Sequence, residues 1–102
     1  VVIAEGQPVV AGALSWLLRE QGYAVTAVGD SSELFANLER VVPDVIVVDG
    51  EVVQRDADLL PRLRGDARWN DVRVIVAALD GRTSGLPWGA DDFVSKPFRV
   101  PE

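Results

Sequence analysis

Residues 45–51 read "VIVVDGE", a run of β-branched apolar residues that stops at Asp49. A strand that is apolar on both faces needs cover on both sides, as in a parallel sheet with helical crossovers. A carboxylate at the end of such a strand implies that the end opens onto something polar. Fold and chemistry are therefore both posed by this one stretch.

Working outward, short apolar strands alternate with amphipathic segments, the pattern of an α/β sheet with parallel strands. "VVIA" (1–4) is the first strand, followed by a helix from about Pro8 to Gln21, with Pro8 suited to a first turn and Gly22 to the exit. Val10, Ala13, Leu14, Leu17 and Leu18 share the face expected to turn inward, and Val9, Gly12 and Trp16 lie on the other side. "AVTAV" (24–28) is a second strand, and Asp30 with Glu33 three residues later reads as a capping box for a helix carrying Leu34, Phe35 and Leu38. The opening strand takes 44–48, and "ADLLPRLR" follows as a short helix with Leu59, Leu60 and Leu63 inward and Pro61 in its first turn. "VRVIVA" (72–77) and "DFVS" (92–95) are the fourth and fifth strands, and the Gly- and Pro-containing "LDGRTSGLPWGA" between them reads as an irregular connection.

At 102 residues, 48% apolar and 25% charged, the chain makes one globular domain over residues 1–102. Its net charge of −6 repels phosphate backbones and anionic lipid, which argues against direct nucleic-acid or membrane binding. The absence of cysteine excludes a disulfide framework and fits a cytoplasmic protein. No apolar run is long enough to span a bilayer. The start at Val1 without an initiator methionine, and the stop just after "KPFRVPE", read as the bounds of a piece of something longer. Its last helix is left open to being absent, disordered or lent to a neighbour.

In a parallel sheet every strand delivers its C-terminal end to one edge, where ligands bind. Here those ends offer Glu5 and Gly6, Gly29 and Asp30, Asp49 to Glu51, Ala78, and Lys96. Two carboxylates and a lysine at one edge suit a hard cation and a phosphoryl group, the lysine acting as a point charge. The alternative is a structural ion pair, Lys96 neutralising Asp49. With no histidine and no obvious nucleophile–base pair, the edge does not suit a hydrolase, and the chain is read as a non-enzyme. Flavin or nucleotide binding is the other class weighed, but "EGQPVV" offers one Gly and no Ser or Thr to cradle a phosphate.

The order of motifs resembles the receiver domain of bacterial two-component response regulators, over nearly the whole chain. "GADDFVSKPF" (89–98) and "PDVIVVD" (43–49) carry the likeness most strongly, with "VVIAEGQP" in the place of the family's acidic pair. The resemblance implies a flavodoxin-like (CheY-like) doubly wound sheet of five parallel strands, order 2-1-3-4-5, in a three-layer sandwich. It also implies Asp49 as phosphoacceptor, Lys96 as the phosphate-contacting lysine, and Ala78 and Phe93 at the switch positions. Glu5 and Asp49 are then the Mg²⁺-holding carboxylates, and Lys96–Pro97 is a bond the family usually keeps cis.

Three departures from the family stand out. Gly6 occupies the place of a direct metal-binding aspartate, so Mg²⁺ binding is expected to be weakened, with Glu51 weighed as a partial substitute against being a solvated loop acid. Ala78 replaces the Thr or Ser whose hydroxyl bonds the phosphoryl oxygen. "VVQRDA" (52–57) replaces a Pro-Gly turn. The expectation is an atypical receiver, a signalling module whose phosphorylation at Asp49 is weakened or absent and whose output passes through protein contacts; the alternative is a receiver that takes phosphate on Asp49 from a histidine kinase with Mg²⁺. Partners implied are a sensor histidine kinase or another signalling protein, an attached or separate output domain, and a second copy in a homodimer. Trp16 is expected to be half-buried under the family's final helix, Trp88 to be either an exposed anchor or cover for the loop, and Trp69 to be a loop residue without a role.

Overall fold

The computed structural model describes residues 1–79 and 88–96. Five strands, β1 (Val2–Ala4), β2 (Thr26–Val28), β3 (Val45–Asp49), β4 (Arg73–Leu79) and β5 (Asp92–Lys96), form one parallel sheet in the order β2-β1-β3-β4-β5. Four helices, α1 (Pro8–Glu20), α2 (Ser31–Arg40), α3 (Gly50–Arg55) and α4 (Leu59–Gly65), fill the crossovers. This is the flavodoxin-like order that the resemblance implied.

The two-residue period of the strands sorts their side chains. Ile46 and Val48 of β3, with Val74 and Val76 of β4, are buried in a cluster with Leu34, Phe35 and Leu38 of α2, Val52 of α3, and Leu59, Leu60 and Leu63 of α4. Val45 and Val47, of the opposite parity, are only half-buried. Helix α1 contributes nothing to that cluster and packs instead against β1 and β2. At six and seven residues, α3 and α4 are too short to persist alone. Burying a side chain such as Leu63 is worth about 1.5–3 kcal/mol, so tertiary packing holds them.

Local signals set the helix ends. Asp30 Oδ1 accepts from the Glu33 amide at 2.8 Å, and Glu33 Oε1 accepts from the Gly29 amide at 3.2 Å, one residue earlier than a reciprocal capping box requires. Pro8 opens α1, and the chain leaves that helix through Gly22 at φ 95°. Pro61 is the third residue of α4, where its missing N–H costs no intrahelical bond.

Several expectations are corrected. Helix α1 turns Ala11 and Ser15 fully inward, with Val10, Leu14 and Leu18 half-buried and Ala13 and Leu17 exposed. The small pair four residues apart lets the helix approach the sheet, and the larger residues flank that contact. The segment after Asp49 is helix α3 and not an open loop; Val52 anchors it in the core, with Glu51 in its first turn and Arg55 in its last. Strand β3 runs one residue further than expected, to Asp49, and β4 two further, so Ala78 lies inside a strand and not after it. Trp69 is a core residue, 1% exposed, its ring 5.5 Å from that of Phe35. Trp88 is 70% exposed, in line with one of its two readings; Trp16 is 62% exposed, and the helix expected to cover it lies outside the described residues. The connection at 80–87, the Lys96 side chain, the Lys96–Pro97 bond and any helix from Val100 lie outside what is described.

Candidate functional site

The register brings the sequence-named positions to one edge. Ala4 pairs with Val28 on one side and Val48 on the other, so Glu5, Gly29 and Asp49 follow at the same level. Asp49 in turn pairs with Ala77, Ala78 with Ser95, and Leu79 with Lys96. Glu5, Asp49, Ala78 and the backbone of Lys96 thus converge at the C-terminal ends of β1, β3, β4 and β5.

Burial distinguishes these residues from surface acids. Glu5 is 5% exposed and Asp49 7%, both far below what is ordinary for a carboxylate. Glu5 stays there because the chain around it is fixed: its amide donates to the Val28 carbonyl at 3.0 Å, and its Oε1 accepts from the Gln7 amide at 3.3 Å. Asp49 is both the last residue of β3 and the cap residue before α3. Phe93 on β5 is half-buried and packs against the main core cluster. Glu51 lies exposed in the first turn of α3, where a carboxylate also favours the helix dipole.

The two departures differ in their surroundings. Gly6 is exposed, and a Cβ there would meet only the Gly29 carbonyl oxygen, at an ordinary 3.5 Å. Ala78 is buried at 7% exposure and has no hydroxyl to offer a phosphoryl oxygen. Among the described residues, no three acidic side chains come close enough together to hold a metal ion. The edge therefore combines buried carboxylates with a thinned set of donors.

A second polar feature holds the fifth strand in register, and nothing in the sequence pointed to it. Arg64 on α4 donates from Nε to the Gly89 carbonyl (2.7 Å), from Nη1 to those of Asn70 (3.0 Å) and Val72 (2.7 Å), and from Nη2 to Asp91 Oδ2 (2.7 Å). Asp91 Oδ2 also accepts from the Val74 amide at 2.7 Å, and the Asp91 amide donates to the Val74 carbonyl at 2.8 Å. The Val74 N–H holds the Asp91 carboxyl below its ordinary range; burial opposes this and Arg64 adds to it. Gly89, at φ 90°, lets the chain pass close to α4, where a Cβ would meet Leu60 at 3.2 Å. A cleft of about 280 Å³ lies beside this clasp, lined by Arg64, Asn70, Asp71, Val72, Arg73 and Asp91. It sits where the chain enters β4, the opposite edge from Asp49, and Arg64 there is already committed to protein partners.

Comparison with known proteins follows the same lines. The family model of the response regulator receiver domain matches residues 1–102. "Probable transcriptional regulatory protein TcrX" of Mycobacterium tuberculosis is 35% identical over 105 residues, covering all of this chain and 45% of that protein. The chain thus spans about half the length of such relatives. Among solved structures, the chemotaxis response regulator CheY4 of Vibrio cholerae aligns with TM-score 0.84 at 19% identity, over 95% of this chain and 85% of that one. The receiver domain of the sensor histidine kinase PA1611 from Pseudomonas aeruginosa, with a magnesium ion in its active-site cleft, aligns with TM-score 0.80 at 23% identity, over 96% and 84%.

Proposed function

We propose that this chain, which belongs to the family of response regulator receiver domains, is an atypical receiver in which the acceptor aspartate survives while the parts that use it are reduced. The observation that carries this reading is the contrast at one edge: Glu5 and Asp49 are buried there, whereas Gly6 and Ala78 supply no polar side chain. Asp49 is the phosphoacceptor position, Lys96 the phosphate-contacting one, and Ala78 and Phe93 the switch positions. Phosphorylation at Asp49 is weakened or absent, and output passes through protein contacts.

The remaining donors fit Mg²⁺ incompletely. Glu5 and Asp49 are the carboxylates left to hold it; Glu51, exposed two residues beyond Asp49, does not join them in a three-carboxylate cluster. When bound, Mg²⁺ supplies positive charge that offsets the phosphoryl oxygens. The protein's own contribution is to keep Glu5 and Asp49 fixed and largely out of water at adjoining strand ends. Without a hydroxyl at residue 78, a phosphoryl group on Asp49 lacks that side-chain link to β4 through which to shift the sheet edge. The partners proposed are a sensor histidine kinase or another signalling protein, an output domain, and a second copy of the chain. A cytoplasmic location is part of the same reading.

Calorimetric titration with Mg²⁺ tests the metal half directly. Gly6→Asp is sterically free, since the new Cβ meets only the Gly29 carbonyl oxygen at 3.5 Å. The substitution should tighten Mg²⁺ binding by tenfold or more, equivalent to about 1.4 kcal/mol. Equal affinity in wild type and Gly6→Asp would overturn the claim that the site is metal-poor.

A further inference from the structure

A Cβ placed on Gly50 would lie 2.9 Å from the Cβ of Ala78, closer than real side chains come, with the Ala77 carbonyl oxygen and the Ala78 Cα each at 3.7 Å. Backbone conformation does not explain this glycine: among the described residues the left-handed glycines are Gly22 and Gly89. What Gly50 provides is space. It begins α3 directly after Asp49, and Ala78 follows the ladder partner of Asp49 along β4. The first turn of α3 therefore rests on β4 beside the acceptor.

Gly6 offers a contrast, because the space its side chain would take is free. At residue 50 the space is filled by the one carbon that Ala78 retains. The geometry points to Gly50 and Ala78 as a matched steric pair that seats the first turn of α3 against β4 and so positions the strand end carrying Asp49. Residue 50 can gain a side chain only if residue 78 gives up its Cβ. Alanine at 78 is then part of a packing solution with α3, and not merely a hydroxyl lost. The pair rests on packing geometry and holds whether or not Asp49 takes phosphate.

The test is a double-substitution cycle read by urea unfolding and by hydrogen–deuterium exchange of residues 50–55. Gly50→Ala alone should lower the folding equilibrium constant fivefold or more and speed exchange in 50–55 while β1 and β2 stay protected. Adding Ala78→Gly should reduce that penalty to less than twofold, measured against Ala78→Gly alone, and restore slow exchange in 50–55. Additive losses would overturn the pairing, and so would faster exchange spread evenly over the chain, which is what simple loss of core stability produces. If Gly50→Ala fails to fold, folding of the double variant supports the pair, and its failure to fold refutes it.

Discussion

Replacing Arg64 by methionine removes the guanidinium from the clasp while keeping the aliphatic stem that packs near Gly89. Four hydrogen bonds disappear, at 2.7, 3.0, 2.7 and 2.7 Å, three of them to backbone carbonyls. They share one planar group, so their individual values of about 1.5–3 kcal/mol for charged hydrogen bonds do not sum. The side chains of Arg64 and Asp91 are 16% and 38% exposed, which sets the pair between a buried bridge and a surface one. Breaking the former costs about 3–5 kcal/mol and the latter about 0–1, so we expect roughly 2–3 kcal/mol here. Urea unfolding followed by tryptophan fluorescence reads this well, because Trp69 is 1% exposed and loses its environment on unfolding. At a slope of about 1–3 kcal/mol/M the midpoint should fall by roughly 0.7–3 M with the slope unchanged.

The same variant carries a pH signature. The folded Asp91 carboxyl is depressed, so its contribution is fully present above the unfolded value of about 3.9 and is lost as pH falls through the lower folded value. Part of that depression comes from Arg64, so the gap between wild type and Arg64→Met should narrow on acidification below about pH 4. A penalty under about 0.5 kcal/mol at neutral pH, within the range of ordinary surface substitutions, would refute the clasp as the anchor of β5.

Two further substitutions probe other parts of the account. Asp30→Ala removes the cap of α2 and should cost about 1 kcal/mol in the same unfolding assay, since the Glu33 amide loses the Asp30 Oδ1 acceptor at 2.8 Å; no measurable change would show that water serves as well. Glu51→Gln should weaken Mg²⁺ binding in the calorimeter by less than about threefold, since Glu51 lies exposed in the first turn of α3; a loss of tenfold or more would show that its carboxylate replaces the one missing at Gly6.

Much of the fold is legible in the sequence because the parallel strands write themselves as β-branched runs and their ends as polar residues. "VIVVD" marked β3 to within one residue of its end, and the level of Glu5 with Asp49 followed from topology alone. Helix α3 was not legible: six residues opening on glycine give no apolar period, and the packing of Val52 and Val53 against the core, which supports the helix, is not local in the sequence. The inward face of α1 was misjudged because hydrophobicity favoured its leucines, whereas closeness to the sheet selected Ala11 and Ser15. Trp69 looked like a loop residue because the signal that places it, the ring of Phe35 lying 34 positions earlier, is not local. At the candidate site the sequence named the strand-end positions, and their mutual distances were not legible in it. Gly50 and Ala78 look unrelated until α3 and β4 meet.

The central claim is that Asp49 remains while its phosphorylation is weakened. Incubation of the wild-type chain with a small phosphodonor and Mg²⁺, followed by intact-mass measurement, tests it most directly. The account predicts little or no phosphoryl adduct under conditions in which Gly6→Asp acquires more. A stoichiometric adduct on the wild type that disappears in Asp49→Asn would contradict it and identify a competent phosphoacceptor.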